Sequence, residues 1–206
     1  MHFKLTEEII DLSTAKNWEL AKREWFFDLA YYSDELLTCL CGHYPIKNIC
    51  VIINVTNKMS TEVGNCCIKK FLGIDDGDKI FTSIKKLKED ITKSMSAEVI
   101  DYVYKKNGIS DFEHTFYIDI YRKRSLSVKQ LDVKKRINEK FLKFTSYETN
   151  SQFSKINLIL SWAQNNPNFD TDFVLSIRKS CEKNGRLTEK QVTAIDNIIK
   201  KFGIGK

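Results

Sequence analysis

The sequence contains little proline and glycine and no long hydrophobic run. Only two prolines and eight glycines occur among its 206 residues. This composition leaves no room for a long flexible linker, and no segment is low in complexity. No apolar run approaches the roughly 20 residues of a membrane-spanning helix, and Glu7 and Glu8 lie where a signal peptide would be apolar. These features predict a folded, soluble, cytoplasmic protein without a membrane partner.

Motifs of common enzyme classes are also missing. The sequence has no glycine-rich phosphate loop, no Gly-x-Ser-x-Gly and no His-Glu-x-x-His, which argues against nucleotide hydrolysis, serine esterase chemistry and zinc proteolysis. None of its three histidines is followed by glutamate in the patterns that zinc enzymes use for a general base. We therefore expect a protein without enzymatic activity.

Cysteine, in contrast, is concentrated in one segment. Five of the six cysteines lie between Cys39 and Cys67, and Cys181 is alone elsewhere. Such a distribution does not form a disulfide framework, which fits a reducing compartment. Isolated buried cysteines often serve as small hydrophobic residues, and that alternative stays open. Clustering favours a metal site over it.

The segment divides into two halves that a hairpin brings together. The first half is the turn from Cys39 to His43, in which Gly42 relieves crowding of the backbone. The second half runs from Val63 to Phe71, where Cys67 opens a short predicted helix. Between them, two β-forming runs flank a polar Asn57-Lys58 turn, which predicts a β-hairpin over residues 49–63.

Zinc is the metal that this set of side chains favours. It binds deprotonated thiolate and neutral imidazole, and four ligands close a tetrahedral structural site. The predicted ligands are Cys39, Cys41, His43 and Cys67, with Cys50 and Cys66 as the alternatives to His43.

The spacing of these residues resembles a known module. The pattern Cys39-x-Cys41-Gly42-His43 is followed by Ile46, Asn54 and Thr56, and then by Val63-Gly64-Asn65-x-Cys67-Ile68-x-Lys70-Phe71. It resembles a small zinc-binding module of uncharacterised phage, viral and mobile-element proteins, and it covers about a third of the chain. The resemblance implies a treble-clef-like or zinc-knuckle fold with a structural metal, and it transfers no catalytic residue.

Two amphipathic helices are predicted on either side of this module. The first spans residues 13–32, where apolar residues recur at helical spacing. Its proposed stripe is Trp18, Ala21, Trp25, Leu29 and Tyr32. The second runs from Asp75 to about Lys93, and its predicted buried residues are Ile80, Ile84, Leu87 and Ile91.

The C-terminal half contains an internal repeat with an offset of 61 residues. Leu126-Ser127-Val128-Lys129-Gln130 reappears as Leu187-Thr188-Glu189-Lys190-Gln191, which predicts duplicated three-helix units over about 97–141 and 156–202. Capping boxes are predicted at Ser110, Ser127 and Thr188, with Thr171 capping the helix equivalent to that at Ser110. Phe141 and Phe202 are predicted to occupy matching core positions. The Leu-[Ser/Thr]-x-Lys-Gln signature resembles a small helical module of phage and replication-associated proteins.

Basic residues are spread over the chain, whose formal net charge is +6. Short basic runs on helices are usually solvated faces, but they also suit a phosphate backbone if they share one side of the fold. The candidate nucleic-acid-binding residues are Lys69, Lys70, Arg122, Lys123, Arg124, Lys134, Lys135 and Arg136.

The predicted fold is mainly α-helical, with a small β-hairpin zinc module. Residues 1–75 would hold the N-terminal helix and the zinc module, 76–95 a connecting helix, 96–145 the first helical repeat and 154–206 the second. Two functions fit this organisation. One is a phage or mobile-element accessory protein that binds nucleic acid, DNA or RNA, and the other is an inhibitor or adaptor that binds a host protein, such as a host-defence or host-takeover factor.

Overall fold

The computed structural model describes residues 3–73 and 76–205, and it divides the chain into two compact units. Met1–Lys85 form the first, here called the cysteine unit, and Lys86–Lys206 form the second, the helical unit. The described residues are mainly helical and include a three-stranded antiparallel sheet. This confirms the predicted fold class at the level of a helical protein with a small sheet.

The cysteine unit contains the whole sheet. Its elements are α1 (Phe3–Asp11), α2 (Trp18–Ala21), a 3₁₀ turn (Lys22–Glu24), β1 (Trp25–Leu37), β2 (Ile46–Asn54), β3 (Ser60–Gly64) and α3 (Asn65–Leu72). The strand order is β1-β2-β3. The predicted hairpin is confirmed as β2 and β3, with Cys50 opposite Val63. The short helix predicted at Cys67 begins two residues earlier, and its Ile68 and Phe71 are buried as expected.

The helix predicted over residues 13–32 is wrong over most of its length, because only Trp18–Ala21 are α-helical and a 13-residue strand begins at Trp25. The stretch from Trp25 to Tyr32 holds five aromatic residues, which favour strands. Strand β1 also carries a register shift between Phe27 and Leu29. Beyond the shift Ala30 and Tyr31 are both buried, although consecutive strand residues point to opposite faces. The shift and this burial on both faces hide the period-two alternation that identifies a strand.

Both N-terminal tryptophans are packing residues, as predicted. The Trp25 side chain is buried, and its indole N–H donates to the hydroxyl of Ser13 at 2.7 Å. The ring of Trp18 packs on Phe71, with centroids 5.4 Å apart. Each aromatic ring therefore packs as part of the apolar structure of the cysteine unit.

The remaining elements are helices. They are α4 (Asp76–Glu89), in which the boundary between the units falls, α5 (Ala97–Lys105), α6 (Asp111–Ile120), α7 (Val128–Phe144), α8 (Tyr147–Gln164), α9 (Asp172–Asn184) and α10 (Glu189–Phe202). Helix α4 buries Ile80, Ile84 and Leu87 as predicted, but it ends before Ile91. Asp75, the predicted start of this helix, lies outside the described residues.

A buried polar network fixes α6 and α7 in the helical unit. The Tyr117 hydroxyl donates to the side-chain carbonyl of Asn138 and accepts from the N–H of Met95 at 3.1 Å. The amide of Asn138 donates to the carbonyls of Ile91 and Lys93 at 2.7 and 2.9 Å. Because every partner is satisfied, the network orients both helices without leaving a buried polar atom exposed to the apolar core.

Helix starts in this unit recur at the predicted interval. Helices α6 and α9 begin 61 residues apart, and so do α7 and α10. The capping boxes predicted at Ser110, Ser127 and Thr188 are present. The cap predicted at Thr171 is wrong, since its hydroxyl makes no capping hydrogen bond. The Asp170 carboxylate accepts from the N–H of Asp172 at 2.9 Å instead.

The two sets of helices differ in what they bury. Phe141 is fully buried, whereas 41% of Phe202 is exposed, so the prediction of matching core positions is wrong. Phe202 packs on the rings of Trp162 and Phe169, with centroids 5.1 and 5.4 Å away. The duplication of a three-helix unit stays a prediction. None of the described helices is both long and apolar enough to cross a membrane.

Candidate metal centre

Cys39 and Cys41 lie in the loop that joins β1 to β2. The loop closes on itself, because the N–H of Cys39 donates to the carbonyl of His43 at 2.9 Å and the N–H of Gly42 donates to the carbonyl of Cys39 at 2.7 Å. Gly42 has a φ of +86°, a left-handed conformation that glycine adopts without strain. Both cysteines are buried, so the turn directs two thiols inward from the edge of the sheet.

Cys67 reaches the same place after β3, because the end of β3 lies beside the start of β2 at the open end of the hairpin. Strand β3 ends at Gly64 and α3 begins at Asn65 with no intervening loop, which places Cys67 in the first turn of the helix. A side chain at Gly64 would lie 3.8 Å from the Cys39 sulfur and 3.5 Å from Ile46. These are ordinary van der Waals distances, and the close approach is made by the backbone N–H of Gly64, 3.2 Å from the Cys39 sulfur.

The three thiols are arranged as metal ligands would be. The sulfurs of Cys39, Cys41 and Cys67 all lie within 4.8 Å of one another, and those of Cys39 and Cys67 are 3.6 Å apart. Zinc–sulfur bonds of about 2.3 Å at tetrahedral angles put two sulfurs about 3.8 Å apart, whereas a disulfide would hold them at about 2.05 Å. The group can hold a metal ion with little movement.

Hydrogen bonds favour the thiolate form at Cys39. Its hydrogen bond with Cys67 lowers the pKa of the Cys39 thiol, and the backbone N–H of Gly64, 3.2 Å from the sulfur, lowers it further. The same pairing raises the pKa of Cys67. One sulfur of the group is thus stabilised as an anion by the fold, and thiolate is the form that binds metal.

The other predicted ligands lie outside this group. His43 is exposed, and its contact with Cys39 is made by its backbone carbonyl. Cys66 is exposed at the start of α3. Cys50 is buried in β2, where burial raises its pKa to about 12. The structure brings three of the four predicted ligands together, and the assignment of His43 as the fourth stays a prediction.

The candidate nucleic-acid-binding residues are divided between the two units. Lys69 and Lys70 are exposed on α3 in the cysteine unit, and the run Arg122 to Arg124 is exposed after α6 in the helical unit. Arg136 is exposed and Lys135 is half-buried.

Lys134 requires a correction, because only 5% of it is accessible to solvent. It lies on the inner face of α7, one turn from the buried Ile137 and Asn138. Burial lowers the pKa of its ammonium group, and Lys86 nearby lowers it further. The side chain therefore does not project into solvent beside Lys135 and Arg136, and it makes a poor phosphate contact.

Only one of the two units carries a net positive charge. Residues 1–85 carry 10 Lys and Arg against 12 Asp and Glu, a net charge of −2, whereas residues 86–206 carry 23 against 15, a net charge of +8. Sequence reasoning grouped only consecutive basic residues. It missed Lys105, Lys179 and Lys183, which line a cavity of the helical unit, and the four-residue spacing on α9 was the one indication of such a surface.

Comparison with protein-family models, with curated proteins and with solved structures gave no match to this chain.

Proposed function

We propose that this chain is a zinc-stabilised nucleic-acid-binding protein, in which the cysteine unit holds a structural zinc and the helical unit contacts phosphates. The observation that carries the proposal is the division of charge, −2 in the unit with the thiols and +8 in the unit without them. The resemblance of the cysteine segment to phage, viral and mobile-element modules suggests that the protein is an accessory factor of such an element.

Zinc is favoured by the chemistry of the three ligands. Thiolates select zinc over calcium and magnesium, which prefer oxygen. A loop with two cysteines, a hairpin and a helix with the third cysteine in its first turn also follow one another as in a treble clef. His43 and Cys66 are both exposed, and each lies within two residues of a thiol of the group, so each is a candidate for the fourth ligand.

The buried position of the thiols supports a structural rather than a catalytic metal. Cys39 and Cys41 are 3% and 4% exposed, so substrate has little access to an ion between them. Structural zinc sites are closed by four protein ligands and contribute directly to folding. The zinc would join the β1–β2 loop to α3, two segments that are 28 residues apart at Cys39 and Cys67.

The helical unit carries the net positive charge that would attract a polyanion. Its exposed bases include Arg122 and Arg124, and the guanidinium of Arg122 lies 5.1 Å from the ring of Tyr121. Each phosphate that a lysine or arginine neutralises releases a counterion, so that affinity falls with salt. A unit with an excess of eight positive charges gains from this effect, whereas the cysteine unit does not.

A salt titration of binding to mixed-sequence DNA and RNA tests the proposal. We expect a linear fall of log K with log salt, and a smaller slope after Arg122, Lys123 and Arg124 are all changed to Gln. Changing Lys69 and Lys70 to Gln is the matched control, because these exposed bases lie in the acidic unit, and it should leave the slope unchanged. A flat response of the unaltered protein would overturn the proposal and favour the adaptor function instead.

A further inference from the structure

A cavity of about 780 Å³ lies in the helical unit where the α5–α6 loop meets α7 and α9. The end of α5 and the start of α6 form one wall, and Lys140 of α7 and the second half of α9 form the other. Most of the lining side chains are exposed, so the cavity is an open groove rather than a closed chamber.

The acidic residues of this groove already have partners. The Asp111 carboxylate accepts from the Tyr104 hydroxyl at 2.9 Å, and Glu113 pairs with Lys140 at 2.6 Å. Glu182 pairs with Arg178 at 3.2 Å. The ion pairs neutralise Glu113 and Glu182, so Asp111, which has only a hydrogen bond from a neutral hydroxyl, is the one lining carboxylate whose charge is not paired in the described part of the chain.

Three lysines of the groove have a positive charge that no ion pair with a described residue neutralises. Lys105, Lys179 and Lys183 are exposed, and within residues 3–73 and 76–205 none of them forms an ion pair. Lys179 and Lys183 are four residues apart on α9, a spacing at which like charges destabilise a helix. An anion bound between them would remove that repulsion.

An aromatic side chain protrudes beside these lysines. Phe112 lines the groove, yet 69% of it is exposed. Its ring is nearly parallel to the ring of Phe116, with centroids 6.1 Å apart and the planes inclined by 24°. Exposing so much of a phenyl ring to water is unfavourable, and a flat partner that stacked on it would remove this cost.

We propose that the groove binds a single-stranded nucleic acid, with a base stacked on Phe112 and phosphates held by Lys105, Lys179 and Lys183. An aromatic platform combined with lysines is the usual chemistry of single-strand binding. A duplex keeps its bases stacked inside, so only an unpaired strand offers a free base face. This inference rests on the proposed function and assigns it to one surface of the helical unit.

The aromatic contact is tested with Phe112→Ala. Stacking on one aromatic residue contributes enough that its loss should weaken binding of a ten-nucleotide single strand by about 5- to 150-fold. Phe173→Ala is the matched control. Phe173 occupies the same position at the start of α9, is 52% exposed and lies outside the groove, so its loss should leave binding unchanged.

Phe112→Trp gives a second measurement that does not depend on loss of binding. Indole preserves the stacking surface, so affinity should be retained and tryptophan fluorescence should be quenched when the strand binds. The control Phe173→Trp should show no such quenching. Since both positions are exposed, circular dichroism should show an unchanged fold for all four variants.

The lysines are tested by changing Lys105, Lys179 and Lys183 to Gln together. Each lost phosphate contact should reduce the salt slope for a single strand by about 0.7, and the three together by about 2. Lys129, Lys190 and Lys200 are exposed bases outside the groove. Changing these three to Gln gives the same change in net charge, and the slope should fall less.

Two further ligands separate the possible sources of binding. An abasic strand of equal length should bind weakly and should not respond to Phe112→Ala, and AMP should compete only at far higher concentration. If AMP bound as tightly as the single strand, the proposal of strand binding would be overturned and the groove would be a nucleotide pocket. If Phe112→Ala and the lysine variant bound a single strand normally, the assignment of binding to this groove would be overturned, and the proposed function would remain intact. No binding of any nucleic acid by the unaltered protein would overturn both.

Discussion

Neighbouring residues of the same type lie in very different surroundings in this protein. Cys66 is exposed while Cys67 belongs to the thiol group. Lys135 is half-buried while Lys134 is almost completely buried. Each pair sits on a helix, where consecutive residues are separated by about 100° around the axis. The role of a side chain is therefore decided by the face it occupies, and two adjacent residues of one type are natural controls for each other.

Lys134→Met should stabilise the protein at neutral pH. Methionine keeps the apolar stem that packs inside α7 and removes a charge whose burial is unfavourable, so we expect the free energy of unfolding to rise by about 1 kcal/mol. Lys135→Met, a matched change at the adjacent half-buried position, should alter it by less than about 0.5 kcal/mol. Urea denaturation measures both.

The sign of the pH dependence follows from the lowered pKa of Lys134. The folded protein binds this proton less tightly than the unfolded chain does, so the protonated lysine destabilises the fold below that lowered pKa. The cost disappears above the ordinary lysine pKa of 10.5. The advantage of Lys134→Met should therefore be greatest at neutral pH and shrink as the pH rises. If the gain in free energy of unfolding of Lys134→Met did not vary with pH, the packing of the side chain and not its charge would explain the gain.

Helix starts in the helical unit are set by short polar motifs. At Ser127 the hydroxyl accepts from the N–H of Gln130 at 3.3 Å, and the Gln130 side chain accepts from the N–H of Ser127 at 3.0 Å. The box of Thr188 and Gln191 repeats both distances. Each box satisfies two backbone donors that would otherwise lack an intrahelical partner. Identical geometry implies that the two starts contribute alike.

Ser127→Ala and Thr188→Ala should each lower the free energy of unfolding by about 0.5–2 kcal/mol, because each leaves a helix N–H without its acceptor. Thr171→Ala should cost less than about 0.5 kcal/mol, since the Thr171 hydroxyl makes no capping hydrogen bond. Chemical denaturation of the three variants measures the difference. If Thr171→Ala proved as costly as Thr188→Ala, the assigned start of α9 would be incorrect.

The elements that could be predicted from the sequence are those with a local cause. Ser127 and Thr188 fix helix starts through residues three positions away, and the polar Asn57-Lys58 turn marks the hairpin. Strand β1 could not be predicted in this way. Its apolar residues match a helical stripe almost as well as a strand, and the choice depends on pairing with β2, whose partner residues lie 9 to 29 positions further along the chain.

The thiol group could be predicted only in part for a similar reason. Cys39 and Cys41 are close in sequence, and the hairpin between them and Cys67 is local, so their meeting follows from the pattern. The burial of Lys134 and the exposure of Phe202 depend on how helices pack, which spacing along one helix does not determine. The lysines of the groove belong to α5 and α9, and only the packed unit brings them to one surface.

At the scale of the whole molecule, the thiol group and the net positive charge belong to different units. The thiols, the sheet and a net charge of −2 belong to residues 1–85, and the groove and a net charge of +8 belong to residues 86–206. The stability of the first unit should depend on metal because its sheet and α3 meet at the thiols. The second unit contains no thiol of this group, so its stability should not depend on metal.

Removal of zinc should therefore affect only one unit. We expect about one zinc per chain by elemental analysis, and its removal by a chelator should abolish the protection of backbone amides from hydrogen exchange in β1–β3 and α3. Amides of α7 and α10 should remain protected, and binding of nucleic acid should persist. Mass spectrometry of the exchanged peptides distinguishes the two regions.

Two cysteine variants provide the controls. Cys67→Ser should show the exchange pattern of the chelated protein without any chelator and should contain no zinc. Cys181→Ser changes a buried cysteine of the helical unit and should keep its zinc. Loss of protection throughout the chain on chelation, or a metal-free protein that is fully protected, would contradict the division of roles.

The direct connection of β3 to α3 has a consequence for how this chain tolerates insertions. Strand β3 ends at Gly64 and α3 begins at the next residue, Asn65. An extra residue at this junction would therefore rotate Cys67 away from Cys39 and Cys41. The tip of the hairpin, residues 55–59, is exposed throughout, and its length does not alter the position of any thiol. We expect natural variants to differ in length at the tip and to keep the spacing from Gly64 to Cys67 constant, and a foreign peptide grafted at the tip should leave the thiol group intact.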